Sequence, residues 1–468
     1  MHGSTAIMTR TSLLVGSSSI LGLVLFALLV IADDTSSNAE RDEATETFQE
    51  LAQPAQDDIS DNSDRCPGET AADRDDGEMA PVTSPDEVDQ GPSTNAAEAD
   101  ISDEPKTLPD GIRAAPIPET KGGKPRDNAG PSVRLSPEML ELKEKVRETL
   151  SWYYDRPQKV NDRSPWGIMH WLIPYGVDSY ILDSNGKRQN TVGYLCYNYP
   201  CKGQRLFYLD QKGQIAADIG PGLQGHRGQF LCMLAQSKVD SAYPMRIEGK
   251  DFKVADLIEH EKRTCEAGTE LTFKLIALAH YLKHDEKWKN ARGEDWDLPR
   301  LIREELKQPV VGAACGGTHR MTGFSFAVRK RQARGLVVDG QWERSRRFID
   351  DYHEYTYSLQ NRDGSLSTNW FASRGDLNEP QRRLQTTGHI LEWLVYSLPA
   401  DDLQNKRVVK GVEYLNTLLS EGKQNRWEIG PLGHALHALA IYDERVFGGK
   451  PGNRAEELAR KPKDTTER

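Results

Sequence analysis

Apolar residues recur at helical spacing from residue 136 onward, and they predict a chain that is mainly α-helical there. The first helix is expected to begin at Ser136, because a serine N-cap, a proline at the first helical position and an acidic first turn are typical of a helix start. Later stretches present one apolar face at intervals of three and four residues. They predict helices over 226–236, 253–262, 269–283, 298–307, 319–330, 341–359, 388–398, 404–421 and 433–446.

Residues 178–220 interrupt this helical pattern. Short runs of apolar or alternating residues, at 180–182 and 205–209, are followed by Asn-Gly and Lys-Gly pairs. Such pairs are typical of the tight turns that close β-hairpins. The sequence therefore predicts a small β-hairpin insertion at 178–220.

A series of glycines, each followed by an apolar stretch, recurs at an interval of about 45 residues with two longer intervals. We interpret each glycine as the start of an inward-facing helix, with a more polar amphipathic helix between consecutive starts. The glycines are Gly167, Gly225, Gly268, Gly317, Gly388 and Gly433. A two-helix repeat of this kind, present about six times, either stacks as an open solenoid or closes into a barrel whose inner helices start around one mouth.

One turn motif carries a family resemblance. The stretch Gln360-Asn361-Arg362-Asp363-Gly364-Ser365 resembles the Gln-x-x-Asp-Gly-Ser/Gly-Trp repeat of the α/α-toroid superfamily, which contains squalene and other terpenoid cyclases and the protein prenyltransferase β subunits. The resemblance implies an αα-barrel, or toroid, of about six two-helix repeats. Leu366 stands where the family has tryptophan, and the Asp-x-Asp-Asp acid of squalene cyclases has no counterpart. The resemblance therefore implies the fold and not the chemistry.

The N-terminal region contains an apolar stretch, residues 13–32, that carries no charge and is long enough to cross a bilayer. Arg10 before it, and two aspartates after it, orient residues 1–12 toward the cytoplasm and place the rest of the chain on the extracytoplasmic side. We predict a retained transmembrane signal-anchor. A cleaved signal peptide is the alternative, which small residues near Ala32 would permit, and it would give a secreted protein.

Charge divides the remainder of the chain. Residues 33–135 contain 26 acidic and 9 basic residues with Phe48 as their one aromatic residue, which predicts a disordered acidic linker. A toroid-like domain is predicted over 136–448 and a disordered polar tail over 449–468. Residues 136–468 hold 50 basic and 45 acidic residues, a mild excess that is typical of an ordinary solvated surface and that would also suit a glycan or another anionic ligand. The chain lacks the dense basic and aromatic interleaving of a nucleic-acid binder.

If the repeats close into a ring, polar residues near the starts of the inner helices meet at one mouth. Imidazole exchanges a proton near neutral pH, arginine binds a carboxylate through two hydrogen bonds, and a carboxylate acts as a base or orients a histidine. The candidate catalytic residues are His226, Arg227, His319, Arg320, His389 and His434, with His170, Glu270, Glu392 and His437 at similar positions. The alternative is that these side chains only satisfy backbone groups at helix starts.

The cysteines are a second group of candidate site residues. In an exported protein they can form disulfides. Cys196 and Cys201 flank four residues and are expected to form a local pair. Cys265 and Cys315 precede adjacent repeats and are expected to be neighbours, as a disulfide or as two buried thiols. With His319 these two fall short of the usual ligand set of zinc, so no metal and no cofactor is predicted.

Three classes of function remain from the sequence. The favoured one is a membrane-tethered extracytoplasmic helical-repeat protein with a ligand-binding or interaction role, for which a filled centre is expected. The second is an exported carbohydrate-active enzyme, a lyase or hydrolase, which needs an open cleft with a histidine near a carboxylate. The third is a terpenoid-cyclase-like enzyme, which needs a dry aromatic cavity.

Overall fold

Helices dominate the part of the chain that the computed structural model describes, residues 135–449, and the prediction of a mainly helical fold is confirmed. Ser136 caps the first helix, since its side chain accepts a hydrogen bond from the backbone N–H of Met139. The helices are α1 (Pro137–Tyr154), α2 (Pro165–Leu172), α3 (Thr191–Cys196), α4 (Gln229–Gln236), α5 (Val254–Arg263), α6 (Thr272–Tyr281), α7 (Leu298–Leu306), α8 (Thr318–Ala333), α9 (Gly340–Leu359), α10 (Pro380–Ser397), α11 (Lys406–Glu421) and α12 (Ile429–Phe447).

Alternate helices pack on one another in a closed order. Helix α2 contacts α4, and the contacts continue through α6, α8 and α10 to α12, which packs back on α2. We call these six the inner helices. The others lie against them, with α9 on α8, α11 on α10 and α1 on α12.

Burial separates the inner helices from their neighbours. In α8 every residue from Thr318 to Val328 is buried, and in α10 every residue from Leu384 to Val395 is buried. Helix α9 buries only one stripe, at positions three and four residues apart from Trp342 to Leu359. A helix buried on all sides belongs in a core, whereas a single apolar stripe marks a helix that faces solvent on its other side.

Two of the glycines that were expected to start inner helices lie inside them instead. Helix α10 begins at Pro380, where the Glu379 side chain accepts hydrogen bonds from the next turn, and α12 begins at Ile429. A Cβ on Gly388 would lie 3.0 Å from the Cα of Ala435, and one on Gly433 would lie 2.3 Å from a backbone oxygen of α2. These glycines therefore mark close approaches between inner helices and not helix starts.

The predicted β insertion consists of two antiparallel hairpins, β1 (Tyr180–Leu182) with β2 (Arg188–Asn190) and β3 (Phe207–Leu209) with β4 (Ile215–Ala217), separated by α3. The structure adds two hairpins that the sequence pattern did not predict. They are β5 (Pro244–Ile247) with β6 (Lys250–Lys253), and β7 (Lys287–Lys289) with β8 (Asp295–Asp297). All four strands are only three or four residues long, and β6, β7 and β8 are charged at most positions, so the apolar alternation that predicts a strand is weak.

The Gln360 turn ends α9 and connects it to two further helices. The Gln360 side chain donates hydrogen bonds to the backbone oxygens of Gly364 and Arg407, both at 3.0 Å. Asp363 accepts from the backbone and the hydroxyl of Ser365, and its carboxylate also pairs with Arg383. The motif thus ties the end of α9 to the beginnings of α10 and α11.

The predictions for the two ends of the chain lie outside the described residues. These are the anchor at 13–32, the acidic linker up to residue 134 and the polar tail from residue 450 onward. Among the helices of residues 135–449, none combines the length and the apolar composition that a membrane span requires.

Replacement of Gly364 tests how closely the Gln360 turn packs on α11. A Cβ at this position, where φ is 99°, would lie 2.5 Å from the backbone oxygen of Lys410, so we expect Gly364→Ala to lower the free energy of unfolding by about 3 kcal/mol. Gly186→Ala is the control, because its φ of 74° is also left-handed but no described atom lies within 4 Å of the added Cβ. This control substitution should lower the free energy of unfolding by only about 1 kcal/mol. Equal losses in chemical denaturation would contradict the tight packing.

Candidate functional site

Histidines from several inner helices meet in the protein interior. The imidazole of His434 on α12 lies 4.0 Å from that of His389 on α10 and 5.1 Å from that of His319 on α8, measured between ring centroids. His226, in the turn before α4, lies 5.5 Å from His319, and His170 on α2 lies 5.3 Å from His434. We call these five residues the histidine cluster. All five are buried.

Local backbone conformation brings two of these side chains to the cluster. His226 lies in a turn that ends at Gly228, which has a φ of 80°. Gly228 packs closely on Lys274, since a Cβ on this glycine would lie 3.0 Å from the Lys274 side chain. His319 follows the segment Ala314–Gly317, in which three consecutive residues have positive φ. Such a segment reverses the chain within a few residues, so His319 enters the core in the first turn of α8.

Two carboxylates hold histidines by their Nδ1 atoms. Glu392 on α10 bridges two residues of α12, with oxygens 2.6 Å from Nδ1 of His434 and 2.5 Å from Nδ1 of His437. Glu270 lies 2.5 Å from Nδ1 of His226 and is partly exposed, with 37% of its side chain accessible to solvent. Glu392 therefore lies in the interior, whereas Glu270 marks an edge of the site that solvent reaches.

The pKa values of both carboxyl groups are lowered. Burial alone would raise the pKa of Glu392, but the electrostatic attraction and the hydrogen bonds of the His434 and His437 rings outweigh burial and hold the pKa well below its ordinary value. Burial would likewise raise the pKa of Glu270, and the hydrogen bond with His226 reverses the direction. Both groups are consequently carboxylates at neutral pH.

The hydrogen bonds at Nδ1 determine which ring nitrogen carries a lone pair. His170 and His389 place Nδ1 at 2.8 and 2.7 Å from the backbone oxygens of Trp166 and Gln385. A carbonyl or carboxylate oxygen only accepts hydrogen bonds, so Nδ1 is the donor in these two rings and in the carboxylate-bound ones. In the neutral imidazole, Nε2 is then the atom that can accept a proton or bind a metal.

Several of these nitrogens are buried without a partner. Within residues 135–449, no hydrogen bond reaches Nε2 of His226, Nε2 of His434 or either ring nitrogen of His319. Burial lowers the pKa of His319 well below its ordinary value, and the neighbouring His434 adds to this effect. Burial also lowers the pKa of His170. These two rings are therefore neutral at physiological pH, and the hydrogen-bonding capacity of the unpartnered nitrogens is not satisfied within the described residues.

The two predicted arginines lie outside the histidine cluster. Arg227 is exposed. Arg320 is buried, and it donates to the Glu305 carboxylate at 3.0 Å and to the backbone oxygen of Pro309. Glu305 also accepts from Thr272 at the start of α6, so this ion pair joins α7, α8 and α6. Four of the six predicted residues thus come together, namely His226, His319, His389 and His434.

The candidate disulfide between Cys196 and Cys201 does not form, and for Cys265 and Cys315 the alternative of two buried thiols holds. Cys196, Cys201, Cys265 and Cys315 are buried thiols in the structure, as is Cys232. Cys265 and Cys315 lie in different surroundings, because the Cys265 thiol donates to the backbone oxygen of Glu261 whereas the Cys315 sulfur lies with the histidine cluster. The two cysteines thus have different partners.

Sequence reasoning missed the most informative neighbour of His319. The donor atoms of Cys315, His319 and His389 all lie within 4.8 Å of one another. The sequence feature that could have indicated this group is the spacing of Cys315 and His319, which are four residues apart with two glycines between them. The sequence analysis paired Cys315 with Cys265 instead, because both cysteines precede the glycines of adjacent repeats.

A comparison of the chain with protein-family models, with curated proteins and with solved structures finds no match.

Replacement of Glu392 tests the bridge between α10 and α12. We expect Glu392→Gln to lower the free energy of unfolding by about 3 kcal/mol at pH 7, because the buried imidazoles lose a charged acceptor. Since the folded pKa of Glu392 is depressed, the stabilisation is complete above the ordinary carboxyl pKa of 4.5 and is lost as pH falls through the folded value. The difference between native protein and variant should therefore shrink below pH 4.5. Urea denaturation at several pH values measures it.

The control for that experiment is Glu354→Gln, since Glu354 is an exposed residue of α9. It should leave the free energy of unfolding unchanged within about 0.5 kcal/mol. A Glu392 variant as stable as this control at pH 7 would contradict the structural importance of the bridge.

Proposed function

We propose that the described chain is an α/α toroid whose histidine cluster binds a small ligand. Two observations support the toroid: the inner helices contact one another in a closed order, and they are buried on nearly all sides while α9 and α11 bury one stripe. The Gln360 turn supports it as well, because it ends a non-inner helix directly before inner helix α10.

The ligand-binding role rests on one observation, the buried unpartnered nitrogens of His226, His319 and His434. A buried polar atom without a hydrogen bond destabilises a fold by roughly 1–3 kcal/mol, and these rings lie side by side. Apolar side chains of similar size would fill the same space without that loss. A cluster of imidazoles at this position is therefore explained best by a ligand that engages their nitrogens.

Glycan cleavage is the second candidate, and Glu270 favours it. Its partly exposed carboxylate lies 2.5 Å from His226, which is a suitable pair for proton transfer at an edge that solvent reaches. A sugar polymer also needs an open cleft beside the reacting groups. The imidazoles of His319, His389 and His434 fill that position and are buried, which favours a small ligand over a polymer.

The cyclase class receives the least support. Isoprenoid cyclisation needs an apolar cavity, and carboxylates and imidazoles occupy the interior beside His319 instead.

We also propose that residues 13–32 tether the domain to a membrane from the extracytoplasmic side, with the acidic stretch at 33–135 as the linker. This part of the proposal rests on the apolar and charged patterns of the sequence.

Thermal unfolding of the purified full chain tests the ligand-binding role with three classes of probe: zinc chloride, inorganic phosphate, and oligosaccharides both neutral and acidic. We expect zinc or phosphate to raise the Tm by about 5 °C at a concentration a hundred times Kd. The shift should disappear in the double variant His319→Phe, His434→Phe. It should persist in His284→Phe, because His284 is a buried histidine that stacks on Trp342 and lies outside the cluster.

Two results would decide against the proposal. If neither zinc nor phosphate shifts the Tm of the native chain, the cluster does not bind a small ligand of either class. If oligosaccharides shift the Tm and the smaller probes do not, the carbohydrate-active alternative is the better account.

A further inference from the structure

We propose that the histidine cluster is a site for one divalent transition metal of the zinc type, held by Cys315, His319 and His389. The inference rests on the proposed function, since it names the ligand of the same site. It also goes against the expectation from the sequence, which was that the chain binds no metal.

The donor atoms support this assignment by type and by distance. One thiol sulfur and two imidazole nitrogens lie within 4.8 Å of one another, and all three residues are buried. Metal–ligand bonds of about 2.0–2.3 Å in a tetrahedral site place donor atoms about 3.5 Å apart. The three side chains therefore need to close in by about 1 Å around an ion, which rotation of the side chains can supply.

His319 provides an independent indication of a ligand. Only 7% of the residue is exposed, and neither of its ring nitrogens has a hydrogen-bond partner among the described residues. A buried histidine whose role is purely structural normally donates from one nitrogen, as His170 and His389 do. A metal ion satisfies one nitrogen of His319 directly.

The turn before α8 sets the position of the sulfur. Cys315 has a φ of 49°, a conformation that is unfavourable for a residue with a side chain. Gly316 and Gly317 follow, and a Cβ on either would overlap Trp370 or Val310. This packed turn brings Cys315 beside the first turn of α8, so that the sulfur and the His319 ring lie next to each other.

The surroundings of the three ligands suit a cation. His389 donates from Nδ1 to the backbone oxygen of Gln385, an arrangement in which Nε2 is the ring nitrogen that binds a metal. His434 lies beside both His319 and His389, and its Nε2 has no partner among the described residues, so this ring is the candidate for a fourth position. The Glu392 carboxylate behind His434, together with a Cys315 thiolate, balances the charge of a divalent ion.

The donor set also restricts which ion can bind. Calcium and magnesium prefer oxygen ligands, whereas thiolate and imidazole suit zinc and its neighbours in the first transition series. Binding displaces the proton of the Cys315 thiol, so one proton is released as the sulfur–metal bond forms.

The test uses the purified full chain, stripped with a chelator and titrated separately with Zn²⁺ and Co²⁺. We expect one zinc ion per chain by elemental analysis. Cobalt should give a thiolate-to-metal charge-transfer band and the intense visible bands of tetrahedral coordination. Cys315→Ser should abolish the charge-transfer band and weaken zinc binding by about a hundredfold. Cys265→Ser, a buried thiol outside the cluster, should leave both unchanged.

A second variant covers the case in which Cys315→Ser fails to fold. Cys315→Asp retains a metal ligand and a residue type that tolerates positive φ, so it should bind zinc but lack the charge-transfer band. Circular dichroism of each variant establishes that it is folded.

The outcomes separate this inference from the proposed function. A native chain that binds neither zinc nor cobalt would overturn the metal site, and so would a charge-transfer band that persists in folded Cys315→Asp. If phosphate still raises the Tm in a His319-dependent manner, ligand binding stands without the metal. If no probe has an effect, both proposals fail.

Discussion

The bridge from Glu392 to His434 and His437 is the interaction on which the interior depends. A carboxylate that is removed from water needs partners that compensate for its lost hydration, and two imidazole N–H groups provide them. The bridge forms only because α10 and α12 approach closely, and Gly388 permits this approach where any larger residue would press on Ala435. One glycine and one carboxylate thus control both the packing of two inner helices and the orientation of the His434 ring.

The same arrangement explains how a helical core can contain so many histidines. An inner helix is buried on nearly all sides, so each polar side chain on it needs a partner within the core. Backbone oxygens serve His170 and His389, and carboxylates serve His226 and His434. In each case the Nδ1 atom is satisfied, and Nε2 of His226 and of His434 has no partner among the described residues. The interior is therefore a set of oriented imidazoles, and His319 is the member whose two nitrogens lack a partner within residues 135–449.

Much of the helical architecture could be predicted from the sequence, because it depends on local patterns. The N-cap at Ser136, the apolar stripe of α9 and the hairpins between 178 and 220 follow from spacing and turn residues alone. The meeting of His226, His319, His389 and His434 also followed from the interval between the repeats. Helix boundaries at Pro380 and Ile429 were missed, since a glycine that permits close helix packing looks the same in sequence as one that starts a helix. The approach of the Cys315 sulfur to His389 could not be found in this way, because it depends on the left-handed turn that Cys315, Gly316 and Gly317 form before α8.

X-ray absorption spectroscopy of the zinc-loaded full chain tests the central claim most directly, since it reports the atoms bound to the metal. The account predicts one sulfur at about 2.3 Å and two or three imidazole nitrogens at about 2.0–2.1 Å from the zinc. A first shell that contains only oxygen and nitrogen, without the Cys315 sulfur, would contradict it.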